Sequence, residues 1–249
     1  MNFQINNKHI RDDYITFEPI SHIYTVCDEK YTSVTTLIHK YFPKFNHDKV
    51  IDKMMKSNKW NESKYFGMTK TEIKEIWEKN GSESSKKGTN LHDIIENYYL
   101  NNKEYTSNDQ CFEQFLKFDK ESELKVYRTE WRIFSDDHKV AGSIDIIFEG
   151  SIPGSVKLYD WKRCSNLKKD NPYEKGYFPI DHIPNCNYEH YTLQLNIYKY
   201  ILENYYGIKV EEMALIVFSE NKDSYEKVTV NNRQLEVKYL LDHFLRSKF

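Results

Sequence analysis

The chain has 249 residues and a mass of 30.0 kDa, with 39% hydrophobic and 30% charged residues. Its 20 Tyr, 14 Phe and 4 Trp supply the aromatic bulk of a packed core, which excludes a disordered chain, a collagen and a coiled coil. The formal net charge of −2 excludes a uniformly cationic surface, so any site for a polyanion has to be a local patch.

In chain order, residues 14–18 and 22–27 are rich in β-branched and aromatic side chains around a turn, and read as a hairpin. Residues 33–41 are expected to form a short helix stopped by Pro43. Two further helices are expected at 47–57 and 69–79. The second opens with Thr69-x-x-Glu72, a capping box in which each residue satisfies an orphan N–H of the other. The small, polar stretch 81–88 reads as a loop, and 89–100 as a helix. From Val126 three strands are expected, at 126–134, 140–148 and 156–162, and the short links between them force antiparallel neighbours. Residues 166–187 carry Pro172, Pro179 and Pro184 and read as a polar loop. A helix at 189–206, strands at 213–219 and 226–230, and a C-terminal amphipathic helix complete the chain. In that last helix Val237, Leu240, Leu241 and Phe244 share a face. The expected fold class is α/β, a central mixed and mostly antiparallel sheet flanked by helices. Residues 1–80 are expected to be a β-hairpin and helical extension, a lid or arch, and residues 81–249 the core.

Apolar runs such as 215–219 are too short to cross a bilayer, so no membrane partner is expected. Asp12, Asp13 and Glu18 break the acid-poor, apolar character of a signal or transit peptide. Cys27, Cys111, Cys164 and Cys186 form no C-x-x-C pair, which argues against a zinc knuckle and a disulfide scaffold. The expectation is a soluble intracellular protein, of cytoplasm or nucleus.

Acid-x-Lys tripeptides recur along the chain and mean little alone. Asp160-Trp161-Lys162 differs because it ends an apolar strand, where period two puts Val156, Leu158, Asp160 and Lys162 on one face. Charges emerging from such a surface are costly unless paired or bound to an ion. Asp145 interrupts the preceding apolar strand, and a hairpin of that length can set it beside Asp160. Two neighbouring carboxylates repel, and either a divalent cation or an ion pair, such as Asp145 with Arg132, relieves them. His92 and Glu96 lie one helical turn apart, as do Gln194 and Tyr198; each pair alone is compatible with an ordinary structural role.

Taken in order, G-x-x-x-H-x-x-x-E on a helix, Glu130 in a strand, G-S-I-D, D-W-K and Q-x-x-x-Y on a helix resemble the PD-(D/E)XK nuclease superfamily. Within it the layout is most similar to RecB-like domains, including the mitochondrial genome maintenance exonuclease branch and related nucleases of large DNA viruses. Ser33-Val34-Thr35-Thr36 is similar to that branch too. The resemblance covers residues 31–206 and implies a restriction-endonuclease-like core. Ile144 stands where the superfamily's motif has proline. The cysteine set of the iron–sulfur branch is absent, so no iron–sulfur cluster is expected.

The resemblance implies that His92, Asp145, Asp160 and the Trp161 carbonyl hold Mg²⁺, for which Mn²⁺ substitutes. It gives Lys162 the placement of a water and of the phosphorane charge, Glu130 a second ion or the placement of Lys162, and Gln194 and Tyr198 the phosphate backbone or the nucleophile. Glu96 would orient His92. Arg163, Lys168, Lys169 and Lys86-Lys87 lie beside the motifs and are expected to track phosphates, with a plain solvated loop as the alternative for Lys168 and Lys169. Tyr188 and Tyr191, with Tyr173, Tyr177 and Phe178, are expected to stack on unpaired bases. The expected activity is a metal-dependent DNase acting as an exonuclease on single-stranded or flapped ends in replication, repair or recombination, alongside replication or repair proteins. A structure-selective endonuclease, a nuclease-like fold that only binds nucleic acid, and a structural protein with buried ion pairs are the alternatives.

Overall fold

The computed structural model describes residues Phe3–Ser247. The chain runs α1 (Phe3–Asn6), β1 (Ile15–Glu18), β2 (Ile23–Val26), β3 (Glu29–Ser33), α2 (Val34–Lys40), α3 (His47–Met55) and α4 (Lys70–Leu100). It continues with α5 (Gln110–Ser122), β4 (Val126–Ser135), β5 (Val140–Glu149), β6 (Ser155–Arg163), α6 (Asn187–Tyr205), β7 (Lys209–Phe218), β8 (Glu226–Thr229) and α7 (Gln234–Arg246). Among the described residues no helix is long and apolar enough to cross a membrane.

The chain separates into two compact units, Lys44–Asn90 and the remainder (Met1–Pro43 with Leu91–Phe249), and the boundary falls within α4. The N-terminal hairpin therefore groups with the sheet. In the smaller unit, Asn46 caps α3 by accepting from Lys49 N–H. The expected capping box opens α4: Thr69 N–H donates to Glu72 Oε2 at 2.7 Å, and Glu72 N–H to Thr69 Oγ1 at 3.3 Å. Trp77 Nε1 donates to Tyr65 OH at 2.9 Å. The expected loop at 81–88 is instead helix, continuous with α4. Gly81 and Gly88 each cost ~1 kcal/mol against Ala, but no proline intervenes, and Glu83, Lys86 and Lys87 are good helix formers.

The larger unit holds one mixed, mostly antiparallel sheet in the order β1-β2-β3-β5-β6-β7-β8, with β4 paired to β5 off this path. Helices flank it on both faces. Ile147, Val156, Leu158 and Leu215 pack with Leu37 of α2, Leu193 and Ile197 of α6 and Leu240 of α7. Phe148, Tyr159, Trp161 and Phe218 pack with Leu91 and Ile95 of α4 and Phe112 and Phe115 of α5. Helix α5 escaped the sequence reading. Its signals are the N-cap Asp109, which accepts from Cys111 N–H at 2.8 Å, and the helical spacing of Phe112, Phe115 and Phe118.

One topological detail positions the site. β4 runs antiparallel along β5, from Val126 opposite Phe148 to Ser135 opposite Val140. The other edge of β5 is divided: parallel β3 pairs with residues 140–141, and antiparallel β6 with residues 146–149. Residues 142–145 face this break between two strands. Tyr198 of α6 fills it so closely that a Cβ on Gly142 would sit 2.6 Å from Tyr198 Cε1. Gly142→Ala should cost ~1–3 kcal/mol as overpacking, read as a shift in denaturant midpoint. In a Tyr198→Ala background the same substitution should cost almost nothing, because the clashing ring is gone.

Candidate metal centre

Strand alternation slips at the break. Ile144 packs with the α6 side of the sheet, yet Ile146, two residues on, packs with the α5 side. On β4, Thr129 pairs with Ile146 and Trp131 with Ile144, so Glu130 lies across from Asp145 at the slip. Glu130 has φ 44°, in the left-handed region that disfavours side chains with a Cβ. The β5–β6 ladder ends at Ile146 and Tyr159, and beyond it the Asp145 carboxylate takes over, accepting from Trp161 N–H at 3.0 Å. Period two puts Val156 and Leu158 on the α6 side and Tyr159 and Trp161 on the α5 side, as the sequence leads one to expect. Asp160 thereby joins Lys162 on the α6 side, with Lys162 Nζ 2.5 Å from Asp160 Oδ2.

The helical His92 meets these strands. Its Nε2 lies 2.9 Å from the Trp161 carbonyl, and its Nδ1 3.5 Å from Asp145 Oδ2. A carbonyl only accepts, so in the neutral ring Nε2 carries the hydrogen and Nδ1 keeps its lone pair. That is the usual arrangement of a metal-binding imidazole, one nitrogen fixed by a carbonyl and the other presented to the ion. The Trp161 carbonyl, one lone pair engaged by the ring, keeps a second, and among the described residues no hydrogen bond joins Glu96 to His92.

His92, Glu130 and Asp145 each offer a ligand atom, all within 4.8 Å of one another. Asp160 is 2% exposed, and its Oδ2 receives no well-directed hydrogen bond, although Lys162 lies beside it. Burial, then the charge of Asp145, pushes the Asp160 carboxyl well above its ordinary range. Glu130 is raised for the same two reasons, although Ser143 Oγ donates to its Oε2 at 2.9 Å. Burial also raises Glu96, with Asp93 adding to the effect. Lys162 runs the other way: burial lowers its pKa, but the charges of Asp160 and Asp145 outweigh this and hold the ammonium protonated. A crowded acidic centre with an under-satisfied buried oxygen and an imidazole lone pair fits a divalent cation.

The alternative of an Asp145–Arg132 ion pair is not realised among the described residues, and Arg128 pairs with Asp12 instead. Tyr191 lies under Lys162, with Nζ 4.7 Å from the ring centre. Gln194 Nε2 donates to the hydroxyl of the buried Tyr198 at 3.1 Å. Burial raises the pKa of both tyrosines, so they act as neutral hydroxyls. Tyr24 went unnoticed in the sequence. It is 7% exposed on β2, and burial followed by the charge of Glu130 pushes it up to about 12. Alternation along β2 points Tyr24 and Val26 inward, but nothing local says toward what.

Several expected nucleic-acid contacts are placed otherwise. Arg163 is held by Asp109 and Glu220, each at 2.5 Å, so its charge is neutralised internally. Tyr188 is buried, donates to Thr229 O at 3.1 Å and has no face for a base. The cause is that α6 starts at Asn187, which turns Tyr188 inward. Lys168 and Lys169 are exposed, Lys169 4.0 Å from Glu226. Tyr173, Tyr177 and Phe178 are exposed.

The electrostatics set a pH dependence for the metal-free protein. Glu130 and Asp160 hold protons more tightly folded than unfolded, so the native state carries more protons above the unfolded pKa values of ~4. Their contribution to stability is present in full below that range and declines as pH rises through the folded values. In EDTA, wild type should lose more thermal stability between acidic and slightly alkaline pH than Asp145→Asn, which removes the repelling charge. The difference should be several degrees, at ~2–4 °C per kcal/mol, and equal slopes would refute it.

No protein-family model and no curated protein matches the chain in sequence. Among solved structures it is similar to SSO0001, at 15% identity and TM-score 0.38, over 89% of this chain and 78% of that one. It is also similar to a candidate exonuclease from Eubacterium rectale, at 13% identity and TM-score 0.33, over 61% of this chain and 72% of that one. At these values function has to be argued from the site's own geometry.

Proposed function

We propose that the chain is a divalent-metal-dependent nuclease that hydrolyses DNA phosphodiester bonds, acting as an exonuclease on single-stranded or flapped ends. The observation that carries this reading is the meeting of His92, Asp145, Asp160 and Lys162 where β5 and β6 part. Three crowded carboxyl groups, two of them with raised pKa, one imidazole and one retained ammonium make a poor structural cluster and a good phosphoryl-transfer centre.

Asp145, Asp160 and His92 Nδ1, with Glu130 beside them, would hold the ion. Bound there, Mg²⁺ or Mn²⁺ supplies Lewis acidity toward a phosphate oxygen and a water. Lys162 stays charged and donates toward the phosphate oxygen on which charge develops, and Asp160 keeps the ammonium in place. Gln194, held in place by its hydrogen bond to the buried Tyr198, orients the backbone of the nucleic-acid strand. The exposed Lys168, Tyr173, Tyr177 and Phe178 suit phosphates and unpaired bases of a single strand.

The test is cleavage of end-labelled single-stranded DNA with Mg²⁺ or Mn²⁺, with and without EDTA, beside a covalently closed circle of the same sequence. Metal-dependent loss of the linear strand with the circle intact is expected. A circle that is cut would make the enzyme an endonuclease, and an untouched linear strand would overturn the reading.

A further inference from the structure

A pocket of about 170 Å³ opens between α2 and α6. α2 contributes Thr35, Ile38 and His39, and α6 contributes His190, Tyr191 and Gln194. Two of these also belong to the centre described above: Tyr191 lies under Lys162, and Gln194 is bonded to Tyr198. The pocket and the centre therefore share a wall.

No Lys, Arg, Asp or Glu is among the residues lining it. His190 rests on Phe42, ring centres 4.2 Å apart, and its Nε2 lies 2.9 Å from Asn185 Oδ1. Burial, reinforced by His39, lowers its pKa to about 4, so the imidazole is neutral near pH 7. The rings of His39 and His190 lie 6.0 Å apart. With Gln194 donating to Tyr198, its side-chain carbonyl remains an acceptor. Thr35 and Asn187 add a hydroxyl and an amide at the mouth, where both are exposed.

The lining offers no lysine or arginine to a phosphate. Amide, hydroxyl and imidazole groups set among ring faces suit an uncharged, flat heterocycle with polar edges. We propose that this pocket receives a nucleobase of the substrate strand, the one next to the phosphate at Lys162. The proposal rests on the nuclease reading and adds a base subsite to it. It makes the enzyme sensitive to the presence of a base at one fixed step from the cut, with little preference for which base.

The experiment is an abasic scan. Single-stranded oligonucleotides that each lack one base, at successive positions from the end, are titrated against the full chain by fluorescence anisotropy, with Ca²⁺ in place of Mg²⁺. Cleavage of the same set is followed with Mg²⁺. One position should weaken binding about tenfold relative to its neighbours. Asn187→Trp puts an indole at the mouth from an exposed first-turn position and leaves the core untouched. It should weaken binding of the intact strand by a similar factor and flatten the scan, with an unchanged thermal midpoint. Cleavage with a flat wild-type scan, or a scan unaltered in Asn187→Trp, overturns the pocket and leaves the nuclease reading standing. Neither binding nor cleavage of any strand overturns both.

Discussion

Lys162→Met should lower single-turnover cleavage of linear single-stranded DNA by about 10²–10³-fold, the usual loss when one preorganised donor to a developing charge is removed. Methionine keeps most of the length of the side chain and loses the ammonium that sits over Tyr191, so the volume is largely conserved. The buried Asp160 loses its counter-charge, which would cost ~3–5 kcal/mol if it stayed ionised; taking up a proton lets it escape most of that penalty. The decisive feature of this variant is that ion binding survives. With a competing cation gone from beside Asp160, Mn²⁺ affinity by calorimetry should equal or exceed that of wild type. Cleavage near the wild-type rate would remove Lys162 from the chemistry.

Asp145→Asn should give the opposite pattern. Among the described residues Asp145 is the one carboxylate that touches both His92 and the Trp161 amide, and its charge adds to burial in raising Glu130 and Asp160. An amide in its place keeps the shape and can still accept from Trp161 N–H, so the fold should survive. Mn²⁺ affinity should fall by more than the ~10–100-fold typical of an outer-sphere change, and cleavage by at least about 10²–10³-fold. A variant that keeps both would show that Asp145 is a structural capping group for β6 and that the centre does not hold an ion. The two substitutions together separate loss of the ion from loss of the ammonium.

The parts of this centre that were legible in the sequence are those governed by local periodicity. Alternation along β6 is enough to put Asp160 and Lys162 together and Trp161 opposite, and the short links between β4, β5 and β6 fix their antiparallel order. The capping box of α4 and the apolar face of α7 are equally local. What stayed hidden depends on contacts far apart in sequence. The parallel pairing of β3 with β5 carries no local signal, yet it creates the break that Tyr198 fills and groups the N-terminal hairpin with the sheet. Tyr24 reaches the centre only through that pairing. Arg163 beside D-W-K looked like a phosphate contact because its two partners, Asp109 and Glu220, lie 54 and 57 residues away. Residues 81–88 misled through composition: glycine and serine weaken a helix without ending it.

Glu130 sits on backbone that glycine or asparagine would occupy more comfortably, a handicap of roughly 1 kcal/mol for a side chain of its size. A library at this position screened for heat resistance alone would drift toward those smaller residues and, in doing so, discard an acid from the centre. Thermostability and turnover would then trade against each other at a single codon, and protein engineers working on this scaffold would do best to leave that codon alone.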